Sequence, residues 1–183
     1  MRRLVFPLAA LALAAAFTTA LSAQKVTPGK TGGGGSPHEL VEWTIDGGTI
    51  SIEYGRPSLK GRTPGKDVDP MEGVEWRTGA DGATTLKTDK MLMFGSIHVN
   101  PGTYTIYTMP VKGTWQLIIN KKTGQWGIPY PGKADDVGRA AMKMSTNQKP
   151  VEQLTISIED TPAGATLHID WGTTRASMPF TIG

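Results

Sequence analysis

Residues 40–54 read LVEWTIDGGTISIEY, and this stretch decides the fold. Val41, Trp43 and Ile45 alternate with Glu42, Thr44 and Asp46, and beyond Gly47-Gly48 the residues Ile50, Ile52 and Tyr54 alternate with Thr49, Ser51 and Glu53. A period of two puts the apolar side chains on one face of an extended chain and the polar ones on the other. Asp46-Gly47-Gly48 supplies the turn chemistry between the two runs, so the stretch is a β-hairpin with one dry and one wet face.

The same alternation returns in Tyr104-Ile106-Thr108, Trp115-Leu117-Ile119, Leu154-Ile156-Ile158 and Leu167-Ile169-Trp171, each bounded by turn-forming stretches such as NPGT, NKKTG and TPAG. About ten short strands with one wet face each, and no convincing amphipathic helix, predict an all-β domain over residues 38–183, an antiparallel β-sandwich or jelly-roll-like barrel. The alanines of 135–144 invite a helical reading, which Gly138 weakens. Trp43, Trp115 and Trp171 share the parity of the aliphatic residues in their strands and are expected in the core.

The chain opens MRRLVFPLAALALAAAFTTALSAQ, in which Arg2 and Arg3 precede an apolar run from Leu4 to Phe17 and small residues follow at Ala20, Ser22 and Ala23. That order predicts a signal peptide over residues 1–23 and export to the periplasm or beyond. The apolar run is shorter than the ~20 residues of a membrane span, and Pro7 interrupts it. Residues 24–37, QKVTPGKTGGGGSP, are expected to form a flexible tether. The chain contains no cysteine, which excludes a disulfide framework and a lipidated N-terminal cysteine. Without Arg2 and Arg3 the net charge falls from +3 to +1, and no basic stripe points to nucleic acid.

SPHE at 36–39, YGRPSLKGR at 54–62, WRTGAD at 76–81, NPGTYTIYTMP at 100–110 and GQWG at 124–127 together resemble the secreted bacterial family known as domain of unknown function 2911. The likeness runs in order through nearly all of residues 36–183. It implies a single exported domain and brings no activity with it. The chain departs from the family pattern at Gly82, where a larger polar or acidic residue is common, and in GKDVDPMEG before Trp76.

Candidate ligand-binding residues come from the loops. Arg56 and Arg62 bracket PSLKG, and Arg77 follows Trp76. At one rim of a sandwich they would clamp a carboxylate, phosphate or sulfate; alternatively they would bond loop carbonyls and pair with Glu53, Glu75, Asp81 or Asp136. The second role is expected, with Arg77 pinning the small-residue loop against Asp81, Trp76 covering it, and Arg56 and Arg77 near enough to share a carboxylate. Trp126 and Tyr130, in TGQWGIPYPG, would either stack on sugar rings or plug the open end of the sandwich, and plugging is the expectation.

Asp67, Asp69 and Glu72 have a spacing that suggests calcium, but the Gly and terminal Glu of the twelve-residue loop are not in place and a solvated acidic loop is expected. No two of His38, His98 and His168 lie within six residues of each other, so no metal is assigned. His98 and His168 fall on the solvent-facing parity of their strands. There is no GxSxG, HExxH, P-loop or dinucleotide motif, hence no catalytic residue and no cofactor. The expectation is a binding module for a small anionic ligand or a glycan. The alternatives are a carbohydrate hydrolase using loop carboxylates and a structural envelope protein.

Overall fold

The computed structural model describes residues 23–183, so residues 1–22 of the expected signal peptide lie outside the described residues. Eleven strands follow one another: β1 (Ala23–Thr31), β2 (Pro37–Ile45), β3 (Gly48–Gly55), β4 (Ala80–Thr88), β5 (Leu92–Phe94), β6 (Ile97–Val99), β7 (Gly102–Val111), β8 (Thr114–Asn120), β9 (Asp136–Ala141), β10 (Lys143–Thr161) and β11 (Gly164–Ile182). They form two antiparallel sheets, ordered β1-β2-β3-β4-β7-β8-β9 and β10-β11-β5-β6. The domain is the expected all-β sandwich. Among the described residues no helix is long and apolar enough to cross a membrane.

The 40–54 hairpin forms as the sequence dictates, with Ile45 opposite Gly48 and a two-residue turn whose Asp46 and Gly47 have φ of 49° and 71°. Val41, Trp43, Ile45, Ile50, Ile52 and Tyr54 all face the core, where Trp115 and Trp171 are also buried. Residues 136–141 extend as β9 beside β8, not as a helix.

The segment expected to be a tether behaves differently. Gln24–Thr31 runs as edge strand β1, paired with β2 from Ala23↔Thr44 to Pro28↔Glu39 and, after a register shift, at Thr31↔Pro37. Its side chains from Gln24 to Thr31 are exposed, so its place is held by backbone hydrogen bonds, which leave no apolar pattern in the sequence.

β11 doubles back at Gly172 (φ 60°) and Thr173. Arg175 reaches Asp170 through two bonds of 2.7 Å, and His168 Nδ1 lies 2.8 Å from Ser177 Oγ, whereas nine residues of uninterrupted strand span about 30 Å. β10 wraps the tip of this fold, pairing residues 143–146 with 174–177 and 155–161 with 164–170. His168 has the expected outward parity, yet Ser177 and Glu159 close over it and it is buried.

Candidate functional site

The end of β1, the start of β2, the end of β3, the start of β4 and the β8–β9 connection surround a groove of about 550 Å³. It is lined by Lys30, His38, Glu53, Asp81, Gln125 and Trp126 together with glycines from both sides. An adjoining hollow of about 250 Å³ shares His38, Glu53, Gly82, Gly124 and Gln125 with it. The volume of the groove itself lies within the ~300–1,000 Å³ that small-molecule sites occupy. A second hollow of about 410 Å³, lined by Glu72, Ser145, Thr146 and Thr174, presents hydroxyls but no exposed aromatic face, and its Glu72 carboxylate is taken by the Lys112 N–H at 2.7 Å.

The groove wall is built around an imidazole–carboxylate pair. His38 Nε2 lies 3.0 Å from Asp81 Oδ2, and the Gly34 N–H donates to Asp81 Oδ1 at 3.4 Å. The bond from His38 holds the Asp81 carboxyl below the usual carboxylate range. Asp81 adopts φ 62°, a conformation few non-glycine residues accept. At two positions the backbone around the pair has no room for a side chain: a Cβ on Gly32 would stand 1.8 Å from Asp81 Oδ2, and one on Gly55 would stand 2.3 Å from the Ala80 carbonyl oxygen and 3.0 Å from His38 Nε2. The HE, YGR and TGAD stretches thus converge on one constellation.

A depressed folded-state value means that the Asp81 contribution is present above the unfolded value of about 3.9 and is lost as pH falls through the folded one. Asp81→Asn keeps the shape and tolerates positive φ, so it removes the charge alone. It should cost about 2 kcal/mol near neutral pH, and the gap between variant and wild type should narrow as pH falls below about 4 and vanish only below the depressed folded-state value. Urea melts at pH 7 and pH 3 measure both quantities.

The β8–β9 connection supplies the opposite wall. Ala83 N–H donates to the Gln125 carbonyl at 3.1 Å, and Gln125 Nε2 donates to Tyr107 Oη at 3.1 Å. Burial pushes the Tyr107 hydroxyl up to about 12, so it stays protonated. Gly127 has φ 88°, and a Cβ there would meet Ala83 Cβ at 2.8 Å and Arg77 Cβ at 3.1 Å. Trp126, one residue earlier, is 59% exposed.

Arg77 holds this wall. Its Nη1 donates to the Trp126 carbonyl at 3.0 Å and its guanidinium lies 4.9 Å from the centre of the Trp126 ring. Arg77 therefore bonds a loop carbonyl, but in the 124–127 loop and not in its own 75–85 stretch, and its partner is not Asp81. Arg77 Nε is buried with no partner among the described residues, and burial lowers the Arg77 pKa.

The other candidates separate. Trp76 does not cover the loop; an isolated antiparallel bridge to Thr108 turns it into the core, edge-on to Trp115 at 6.1 Å. Arg56 joins the two sheets, donating to Glu39 at 2.8 Å, to the Leu154 carbonyl at 3.0 Å and to Thr155 Oγ1 at 3.0 Å. Arg62 closes its own turn through the carbonyls of Leu59 and Ser58. Arg56 and Arg62 line a crevice of only about 60 Å³ that Arg77 does not reach. No carboxylate is shared between Arg56 and Arg77, because Glu39 is paired with Arg56 and Asp81 with His38.

Trp126 does not plug the sandwich, being exposed, and Tyr130 is fixed away from the groove by Asp136 and Arg139 while its ring meets Tyr107 edge-on at 5.0 Å. Sequence reasoning missed His38, Glu53 and Gln125 as lining residues. The HE stretch was quoted, but nothing local signalled that its imidazole meets Asp81, 43 residues away. Comparison with known proteins finds no matching curated protein and no matching solved structure. The family profile described as protein of unknown function (DUF2911) matches residues 36–180, and the chain belongs to that family.

Proposed function

We propose that the protein is an exported envelope binding module that holds a glycan in the His38–Asp81 groove. The observation that carries this is Trp126, an indole 59% exposed on the groove wall and fixed from behind by Arg77. A pre-set aromatic face offers the apolar side of a sugar ring a stacking surface at little entropic cost. Glu53, exposed and without a partner among the described residues, and the ionised Asp81 accept hydroxyl hydrogen bonds beside it. A small-anion clamp has less support, since Arg56 and Arg62 spend their donors inside the fold. The N-terminal order of charged, apolar and small residues supports export.

One observation favours a second reading, hydrolysis of envelope carbohydrate: Glu53 and Asp81 both line the groove. Calorimetric titration with a panel of oligosaccharides separates the readings. Binding without release of reducing ends supports the module, and turnover abolished by Glu53→Gln supports the hydrolase. Trp126→Ala should weaken glycan binding about tenfold or more while leaving the melting temperature nearly unchanged. If no oligosaccharide binds, both readings fail.

A further inference from the structure

We infer that the connection from Lys121 to Lys133 is a docking loop that seats the domain on an anionic lipid surface. Its tip exposes Trp126, Ile128 and Pro129, with Ile128 53% exposed. Its ends carry Lys121, Lys122 and Lys133, all exposed, and residues 121–134 contain no Asp or Glu. Two bonds draw the ends of the loop together: Lys121 N–H donates to the Asp135 carbonyl at 2.8 Å, and the Asn120 side chain donates through Nδ2 to the Gly132 carbonyl at 3.4 Å. Two acids, Asp135 and Asp136, follow the loop, and Glu53 and Asp81 lie on the groove side of Trp126. Asp135 touches Lys122 only at 3.9 Å, and Asp136 is committed to Arg139, Tyr130 and Asn120. Three lysines therefore flank an apolar tip at the two ends of the loop, with the acids Glu53 and Asp81 confined to the groove side of Trp126.

That arrangement matches the boundary of an anionic bilayer, where phosphates meet the lysines and the aliphatic tip enters the acyl edge. An indole fits the same depth, with its ring in the apolar zone and its N–H among the headgroups. The loop is already ordered by Arg77, Ala83 and Tyr107, so little conformational entropy remains to be lost on docking. Ile128 and the three lysines do not line the groove, and the inference stands on them independently of the glycan reading. Trp126 lies where tip and groove meet, which would bring the groove mouth close to the headgroups.

Co-sedimentation of the purified protein with vesicles tests this. The protein should bind vesicles containing phosphatidylglycerol, bind pure phosphatidylcholine weakly or not at all, and lose affinity as salt is raised. Ile128→Ser should weaken binding about tenfold and Lys121→Gln about fivefold, with unchanged thermal melts because both side chains are exposed. No binding to anionic vesicles, equal binding to both kinds, or wild-type affinity in Ile128→Ser would overturn the inference. Weakened vesicle binding with intact glycan binding in Ile128→Ser would show the two sites to be separable.

Discussion

Gly55→Ala should destabilise the fold by about 3 kcal/mol and dismantle the groove wall at the same time. The added methyl would stand 2.3 Å from the Ala80 carbonyl oxygen, the β4 position paired with Gly55. Backbone cannot swing aside as a flexible side chain would, so β3 and β4 must part where Asp81 begins. The same methyl would press on His38 Nε2 at 3.0 Å, the atom that bonds Asp81. Urea denaturation gives the energy, and the His38 imidazole resonances report the broken pair. Gly82→Ala is the matched control: its Cβ would meet nothing within 4 Å, so its melt should stay within about 0.5 kcal/mol of the wild type. A Gly55→Ala protein as stable as the wild type would show that the tight packing around the pair is unnecessary.

Arg56→Met should cost a similar amount by a different route. Arg56 spends all its forks on the fold, tying β2 to β10 through Glu39, the Leu154 carbonyl and Thr155. Glu39 also accepts the Tyr54 hydroxyl at 2.9 Å, and that hydroxyl in turn accepts the Ile156 N–H at 2.9 Å. Burial raises the Tyr54 pKa far above its ordinary value, so the phenol remains a donor. Removing the guanidinium leaves a half-buried carboxylate without its cation and two acceptors without donors, a loss of about 3 kcal/mol. Glu39→Gln combined with Arg56→Met should cost less than the two single changes together, because the stranded charge is gone. Strict additivity in that cycle would mean that Glu39 and Arg56 do not stabilise one another.

How much of this was legible depended on where each interaction is written. The 40–54 hairpin could be read directly, because burial of one face imposes alternation on the sequence and Asp46-Gly47 can only be a turn. β1 could not, because an edge strand exposed on its side chains is held by amides that every residue carries. Trp76 misled for a related reason: its contact with the sheet is one isolated bridge to Thr108, too short to show a period. The fold-back of β11 rests on Gly172 and Thr173, a turn set inside what reads as one run. In the site, the residue types were visible but their partners were not. Asp81 was paired in expectation with Arg77, its neighbour in sequence, and is paired in the fold with His38, which β3 brings alongside. Sequence distance says little about which of two cations a strand register will deliver.

In the proposed function Trp126 is the face on which a glycan stacks. Of the five tryptophans, Trp43, Trp76, Trp115 and Trp171 are buried and Trp126 alone is exposed, so the indole N–H resonances form a built-in control. Titrating the isotope-labelled protein with the oligosaccharide that binds best should move or broaden the Trp126 indole signal and leave the other four in place. Saturation of the protein by a glycan with the Trp126 signal unmoved would contradict the account.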